Sequence, residues 1–284
     1  MALAGYLAVQ YVSGHKGAPR CVVRAADGPE GEGHTYEMSP EQAANAATIS
    51  AVGTTRGMPE RAVTIALATA LQESALRNIH HGDRDSLGLF QQRPSQGWGS
   101  PAQIMDPVYA SGKFYEHLAE VPGYSRLPLT VAAQRVQRSG FPQAYAKHEP
   151  DAALLAAALT GRAPATLNCS PGASAKAGPG DTGTVRAELV RSFGKGVLPK
   201  AVAAGPGSAG TVTVPVQQAV KSDEGSAPQR GWELAHWAVA QAGVLRIDQV
   251  SYAGRVWNAD DGWRTERAEQ DEPDTTEVGI RLAQ

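Results

Sequence analysis

Glu73 is the residue of this sequence whose surroundings are most typical of acid/base chemistry. It lies near the end of a segment, residues 60–74, that is apolar on nearly every side when it is drawn as a helix. A carboxylate in apolar surroundings is costly unless it is hydrogen-bonded or protonated. Such surroundings raise the pKa of a carboxyl group, as a general acid for glycosidic cleavage requires. The plainer interpretation is a solvated glutamate at a helix end.

A glycine-containing motif begins fifteen residues after Glu73 and reads Gly88-Leu89-Phe90-Gln91. Glycine lets the backbone approach a ligand closely, and glutamine side chains can hydrogen bond to sugar hydroxyls. The strip that follows Glu73 could therefore line a sugar-binding cleft. The backbone at Gly88 and the side chains of Gln91 and Gln92 are those that we expect to contact substrate here.

Two pairs of polar residues lie between Glu73 and this motif. Asp83 and Asp85 could supply the second carboxylate of a two-carboxylate glycosidase, but their glycine and serine neighbours favour a role as turn formers. His80 and His81 are adjacent and cannot easily share one metal ion. A surface loop pair is the simpler interpretation.

Aromatic side chains could stack on sugar rings, and several lie between residues 98 and 145. Most of them recur at helical spacing, which is typical of core residues. Trp98, in a glycine-rich loop, and Tyr145 are the two aromatic residues that we expect to contact a ligand.

The residues from Glu73 to Gln91 resemble the soluble lytic transglycosylase branch of the lysozyme-like superfamily. That family has Glu-Ser at the end of a buried helix and a Gly-Leu-Met-Gln motif at the same spacing. Glu73 and Ser74 match the first pair, and Phe90 replaces the usual Met of the second motif. A later Ala-Tyr-Asn-Ala-Gly motif is reduced here to the pair Ala144-Tyr145. The resemblance covers about half of the chain.

This resemblance implies a catalytic function for Glu73 and a peptidoglycan glycan strand as substrate. It also implies that Ser74, Ser86 and Leu89 contact that substrate. In that family one glutamate protonates the glycosidic oxygen and then deprotonates the sugar's 6-hydroxyl, which yields a 1,6-anhydro product without a cofactor. Because the later motif is reduced, a protein that binds peptidoglycan without cutting it, or a structural cell-envelope protein, is the alternative.

The pattern of elements predicts a mainly α-helical, lysozyme-like α+β fold, with a linker and a small α/β module after it. Ser39 and Gln42 form a capping box that begins one helix, and the Glu73 helix follows it. Residues 77–100 carry turn signals and a short hairpin is expected there. Further helices are expected near residues 107–120, 130–139 and 142–160.

Composition divides the chain into four parts. Residues 1–20 resemble the remnant of a signal or anchor segment, and residues 21–169 form the lysozyme-like domain. Residues 170–226 are rich in Gly, Pro, Ala and Ser, which predicts a flexible linker with a short helix near 184–193. Residues 227–284 form the small module, with a helix and strands near 248–253 and 278–282.

The C-terminal module resembles a degenerate D-alanyl-D-alanine carboxypeptidase-like domain of actinobacterial cell-wall proteins. Those domains end in a His-x-His metal motif, whereas no histidine follows His236 in this chain. Zinc needs at least three protein ligands, so we expect no metal site. The C-terminal module could bind a ligand or could be a purely structural appendage.

Cys21 and Cys169 are the two cysteines of the chain and lie at the ends of the predicted lysozyme-like domain. They could form a disulfide that joins both ends of that domain, or remain two unrelated buried thiols. A disulfide would indicate an oxidising, extracytoplasmic compartment. We accordingly expect a cell-wall location, through secretion or through a membrane tether in a segment preceding Met1.

The charge of the chain is nearly balanced. Its 284 residues carry a formal net charge of −2, and the sequence pI is about 6.4. The sequence has no run of lysine and arginine, so we expect no nucleic-acid partner. A monomer is expected.

Overall fold

The computed structural model describes residues 18–25, 33–141, 143–170, 178–198, 210–216, 227–266 and 274–284. It consists of helices and two antiparallel sheets, which confirms the mixed α+β class. Most of the segment predicted as a signal or anchor remnant lies outside the described residues. Across the described part of the chain, no helix is both long and apolar enough to span a bilayer.

Eight α-helices occur in the described residues. They are α1 (Pro40–Thr55), α2 (Glu60–Ser74), α3 (Pro101–Ile104), α4 (Pro107–Ala119), α5 (Leu129–Gln137), α6 (Glu149–Leu159), α7 (Thr182–Phe193) and α8 (Ala227–Leu245).

Within the described ranges, eight strands form the two sheets. They are β1 (Arg20–Arg24), β2 (Thr35–Met38), β3 (Leu167–Ser170), β4 (Thr211–Pro215), β5 (Ile247–Tyr252), β6 (Arg255–Asn258), β7 (Gly262–Thr265) and β8 (Glu277–Leu282). The strand order is β2-β1-β3 in the smaller sheet and β4-β8-β5-β6-β7 in the larger one.

Helices α1 and α2 begin and end where local sequence signals place them. The Ser39 hydroxyl accepts from the Gln42 backbone N–H at 3.3 Å, and the Gln42 side chain accepts from the Ser39 N–H at 2.7 Å. This confirms the predicted capping box. Helix α2 ends at Ser74, where Ala75 turns into the left-handed region with a φ of 52°. Residues 62–71 are buried, so α2 runs through the core.

The two cysteines lie opposite each other in the smaller sheet. Cys21 of β1 is in register with Cys169 of β3, and the two sulfurs are joined. The predicted disulfide is therefore present. Local patterns do not indicate β1, β2 or β3, because each has only four or five residues.

The region predicted as a flexible linker contains two regular elements where the structure describes it. Helix α7 (Thr182–Phe193) agrees with the short helix expected near residues 184–193, and it buries Val185, Leu189 and Phe193. Strand β4 pairs with β8 in the larger sheet. Regular hydrophobic spacing every three to four residues in α7 outweighs the Gly- and Pro-rich composition around it.

The C-terminal module shares its core with the preceding helices. Helix α8 packs against α1 and α6, and its Trp237 is almost fully buried. Gly161, which follows α6, lies so close to α8 that an added Cβ would be 1.9 Å from the Gln229 carbonyl oxygen. Strands β5 and β8 confirm the predicted positions, while the hairpin of β6 and β7 was not predicted.

Candidate acid/base site

Glu73 lies at the C-terminal end of α2 and is half-buried. Its carboxylate accepts a hydrogen bond from the Tyr145 hydroxyl, with 2.6 Å between the two oxygens. Tyr145 precedes the 3₁₀ turn Ala146–His148 and is fully buried. The structure thus brings together two of the predicted site residues, which are 72 positions apart in the sequence.

Burial has the largest effect on the pKa of Glu73. Desolvation raises that pKa above its ordinary value, because a charged carboxylate is poorly stabilised away from water. Hydrogen bonds from Tyr145 and Gln137 lower the pKa in opposition, since they favour the ionised form. The net shift is upward, and it increases the fraction of Glu73 that is protonated near neutral pH.

Burial also raises the pKa of the Tyr145 hydroxyl, and the neighbouring Glu73 raises it further. Tyr145 therefore keeps its proton and acts as a hydrogen-bond donor to Glu73. A neutral donor of this kind stabilises the carboxylate without adding a charge to the site.

Gln137 was not predicted as a site residue. It is the last residue of α5, and its amide donates to the Phe90 carbonyl oxygen at 2.7 Å as well as to Glu73. One side chain thus connects the carboxyl group to the backbone of the glycine-containing motif. No local signal marks Gln137, because its contacts depend on how α5 packs against α2.

The segment from Ser86 to Gln92 forms a tight turn closed by an antiparallel bridge between Leu87 and Gln92. This agrees with the short hairpin expected there. Ser74 holds the turn against the end of α2, since its hydroxyl donates to the Leu89 carbonyl oxygen at 2.8 Å. The Ser74 hydroxyl therefore has a protein partner inside the predicted site.

Several residues predicted to contact substrate have side chains that are buried inside this turn. Leu89 is fully buried, Ser86 is buried, and Gln92 is 1% exposed with its amide donating to the Ala110 carbonyl oxygen at 3.0 Å. In this conformation their side chains are closed to a glycan strand. The reason is that the turn packs on α4, where Gln92 donates to the Ala110 carbonyl oxygen and the Phe90 ring stacks on Phe114.

Gly88 and Gln91 hold the shape of the turn. Gly88 has a φ of 74°, and an added Cβ would lie 2.7 Å from the Ile104 carbonyl oxygen. Gln91 is half-buried, and its amide donates to the carbonyl oxygens of Gly88 and His81 at 3.2 and 3.3 Å. Of the motif side chains, Gln91 keeps partial access to solvent.

Trp98 is half-buried, and its ring packs on His117 of α4 with 4.4 Å between ring centroids. Its position is thus set by α4. Phe141, by contrast, was expected among the core-type aromatic residues, but its side chain is exposed. Phe141 follows the end of α5, where helical spacing no longer applies.

Asp85 organises the loop that follows the turn. Its carboxylate accepts from Arg93 Nε at 2.7 Å and from the Ser95 backbone N–H at 2.8 Å. These hydrogen bonds hold the pKa of Asp85 well below its usual range. Asp83 closes a turn through its carbonyl oxygen, which accepts from the Ser86 N–H. Both aspartates act in turns, as predicted.

Histidines near the site have different environments. His80 and His81 are exposed, in agreement with a surface loop. His148 is half-buried, and its ring lies 3.1 Å from the Gln72 side-chain oxygen; burial lowers its pKa. In the residues that the structure describes, no group of three or more His, Cys, Asp or Glu side chains could hold a metal ion.

Taken together, the site contains one half-buried carboxyl group, one neutral hydroxyl donor and one amide donor. Such an arrangement can donate a proton to a bound molecule and take one back. Comparison of the chain with protein-family models finds no match. No curated protein matches the chain either.

Proposed function

We propose that this protein cleaves the glycan strands of peptidoglycan, with Glu73 as the acid and the base. The supporting observation is the environment of Glu73, where burial raises the pKa and the Tyr145 hydroxyl holds the carboxyl group at 2.6 Å. A carboxylic acid held in this way suits general acid catalysis at a glycosidic bond. The resemblance to soluble lytic transglycosylases supplies the substrate class.

In the first step, protonated Glu73 donates its proton to the glycosidic oxygen as the bond between that oxygen and the anomeric carbon breaks. The leaving sugar departs as an alcohol, and positive charge develops on the anomeric carbon. The Glu73 carboxylate that remains is stabilised by the donors Tyr145 and Gln137. This stabilisation reduces the cost of releasing the proton.

In the second step, the carboxylate takes the proton of the 6-hydroxyl of the same sugar. The hydroxyl oxygen then bonds to the anomeric carbon, and the product is a 1,6-anhydro sugar. Glu73 is protonated again and no water is consumed. This sequence needs one carboxylate, which agrees with the engagement of Asp85 by Arg93 and Ser95.

The disulfide between Cys21 and Cys169 is compatible with an extracytoplasmic location. The proposal places the protein at the cell wall, where its substrate is found. No cofactor enters the proposed reaction, and we propose a monomer.

Replacing Glu73 tests the proposal directly. Glu73→Gln keeps the shape of the side chain and removes the transferable proton, so the rate of release of soluble fragments from purified peptidoglycan should fall by about 10²- to 10⁴-fold. The thermal midpoint should stay close to that of the unmodified protein. Glu120→Gln, at a side chain that is 78% exposed, is the matched control and should keep full activity.

Digestion in water enriched in ¹⁸O determines the product class by mass spectrometry. Anhydro products without ¹⁸O are expected, whereas incorporation of ¹⁸O at the new reducing end would indicate hydrolysis. Wild-type rates in Glu73→Gln would contradict the assignment of Glu73. Binding of insoluble peptidoglycan by a wild-type protein that releases no fragments would favour the non-catalytic alternative.

A further inference from the structure

Phe141 has an unusual degree of exposure for a phenylalanine. Its side chain is 77% exposed, and in the described part of the chain Val244, at 62%, is the other large apolar residue left open to solvent. An exposed phenyl ring forgoes the free energy that burial would provide. A single exposed apolar residue is common on protein surfaces, so its exposure indicates a function only if its location does as well.

The location of Phe141 is defined by Gln137 and Tyr145, which lie four residues before and four residues after it. Both of these residues hydrogen bond to the Glu73 carboxyl group. Four residues span at most about 14 Å even when fully extended, so the backbone of Phe141 cannot lie far from the site. The exposed ring therefore belongs to the segment that joins two residues holding the candidate acid/base.

Hydrogen bonds hold the backbone on both sides of Phe141. The Gln134 side chain donates to the Ser139 carbonyl oxygen at 2.7 Å, and the Phe141 N–H donates to the Ser139 hydroxyl at 3.2 Å. The Ala144 N–H donates to the Phe141 carbonyl oxygen at 3.1 Å. The backbone N–H and carbonyl oxygen of Phe141 thus have protein partners, while its ring is exposed to solvent.

We propose that Phe141 binds substrate by packing its ring against the apolar C–H face of a pyranose ring. That sugar would lie beside the glycosidic bond that Glu73 cleaves. The inference rests on the proposed function and deepens it, because it names a contact that selects a sugar strand over other polymers. Phe141 is a binding residue in this account, and it moves no proton.

The test measures binding separately from cleavage. In a Glu73→Gln background, the full chain is incubated with insoluble peptidoglycan, and the unbound fraction gives an apparent Kd. Phe141→Ala should weaken binding about tenfold, the effect expected for an aromatic contact worth about 1.4 kcal/mol. Phe141→Trp, which keeps an aromatic face, should bind within about twofold of the parent. Val244→Ala, which removes the other exposed apolar side chain, should leave binding unchanged.

Steady-state kinetics of the active protein provide an independent test of the Phe141 contact. Because the contact acts on the bound substrate, Phe141→Ala should raise KM more than it lowers kcat. Unchanged binding in Phe141→Ala, while Glu73→Gln binds peptidoglycan and the wild type cleaves it, would overturn the Phe141 inference alone. Failure of the wild type to cleave and of the Glu73→Gln protein to bind would overturn the proposed function and this inference together.

Discussion

At the residue scale, two opposing effects act on the pKa of one carboxyl group in the candidate site, that of Glu73. Burial favours the protonated form of Glu73, whereas the hydrogen bonds from Tyr145 and Gln137 favour the ionised form. A residue that must first give and then take a proton benefits when neither form is strongly preferred. The Tyr145 hydroxyl is the part of this balance that substitution can remove most cleanly.

Tyr145→Phe should raise the pKa of Glu73 further, because it removes a hydrogen bond that lowers that pKa while leaving the ring in place. If protonated Glu73 is the acid, kcat/KM falls on the alkaline side as Glu73 ionises. The alkaline limb of the pH profile should therefore move to higher pH in this variant. The measurement is kcat/KM for peptidoglycan cleavage across a pH series.

Tyr252→Phe is the matched control for this prediction. The Tyr252 hydroxyl donates to the Pro228 carbonyl oxygen at 3.2 Å in the C-terminal part of the fold. Its loss should leave the alkaline limb where it is in the wild type. An alkaline limb that does not move in Tyr145→Phe would show that the Tyr145 hydrogen bond does not control the acid.

At the scale of elements, the turn from Ser86 to Gln92 lies between the end of α2 and helices α3 and α4. Ser74 donates to the Leu89 carbonyl oxygen on one side, and Gln92 donates to the Ala110 carbonyl oxygen on the other. The Phe90 ring stacks on Phe114 of α4 with 4.7 Å between centroids. The glycine-containing motif thus mainly packs against the neighbouring helices and holds the residues around Glu73 in place.

Gly88→Ala should destabilise the fold by about 2 to 4 kcal/mol. Two costs add up, because a φ of 74° is unfavourable for alanine and its Cβ would lie 2.7 Å from the Ile104 carbonyl oxygen. Gly97 has a φ of 81° with open space around its Cβ position, so Gly97→Ala should cost only about 1 kcal/mol. Denaturant unfolding of both variants gives the difference, and equal losses would show that the approach to Ile104 is not tight.

At the scale of the whole molecule, α8 joins the C-terminal part to the helices around Glu73. Arg230 and Glu233 of α8 form a buried ion pair at 2.6 Å, and Thr54 of α1 donates to the same glutamate. His236 is fully buried in the same helix, with Nδ1 2.7 Å from the Ala158 carbonyl oxygen of α6. Removing α8 would leave these faces of α1 and α6 uncovered.

Burial of His236 should make the free energy of unfolding rise as pH increases from about 4 to 6.5. Burial lowers the pKa of His236 from 6.5 to about 4, so the unfolded chain binds more protons than the folded one in that range. The contribution is at most about 3 kcal/mol and is lost as pH falls. His148, whose pKa is also lowered, acts in the same direction.

His236→Phe should flatten this dependence, since it removes the titrating group and keeps an aromatic ring between Trp232 and Trp263. Denaturant unfolding at pH 4.5, 5.5 and 6.5 provides the measurement. An unchanged slope in His236→Phe would contradict the assignment of this pH dependence to His236.

Elements whose signals are local could be predicted from the amino-acid sequence. The capping box at Ser39 and Gln42 places α1, and continuous apolar character places α2 with Glu73 at its end. Helical spacing also indicates α4 and α6, and strands β5 and β8 were expected from their apolar residues. These signals act over a few residues, so they can be recognised without knowledge of the fold.

Contacts between distant segments, by contrast, depend on the three-dimensional fold. The short strands β1 and β3 pair with each other and are joined by the disulfide. Strand β4 pairs with β8. The hydrogen bond of Gln137 to Glu73 and the exposure of Phe141 depend on how α5 packs and ends. Burial of Leu89 and Gln92, which were expected to contact substrate, follows from the turn packing on α4. Such contacts arise from packing of whole elements, because a side chain's partner is set by the position of a backbone many residues away.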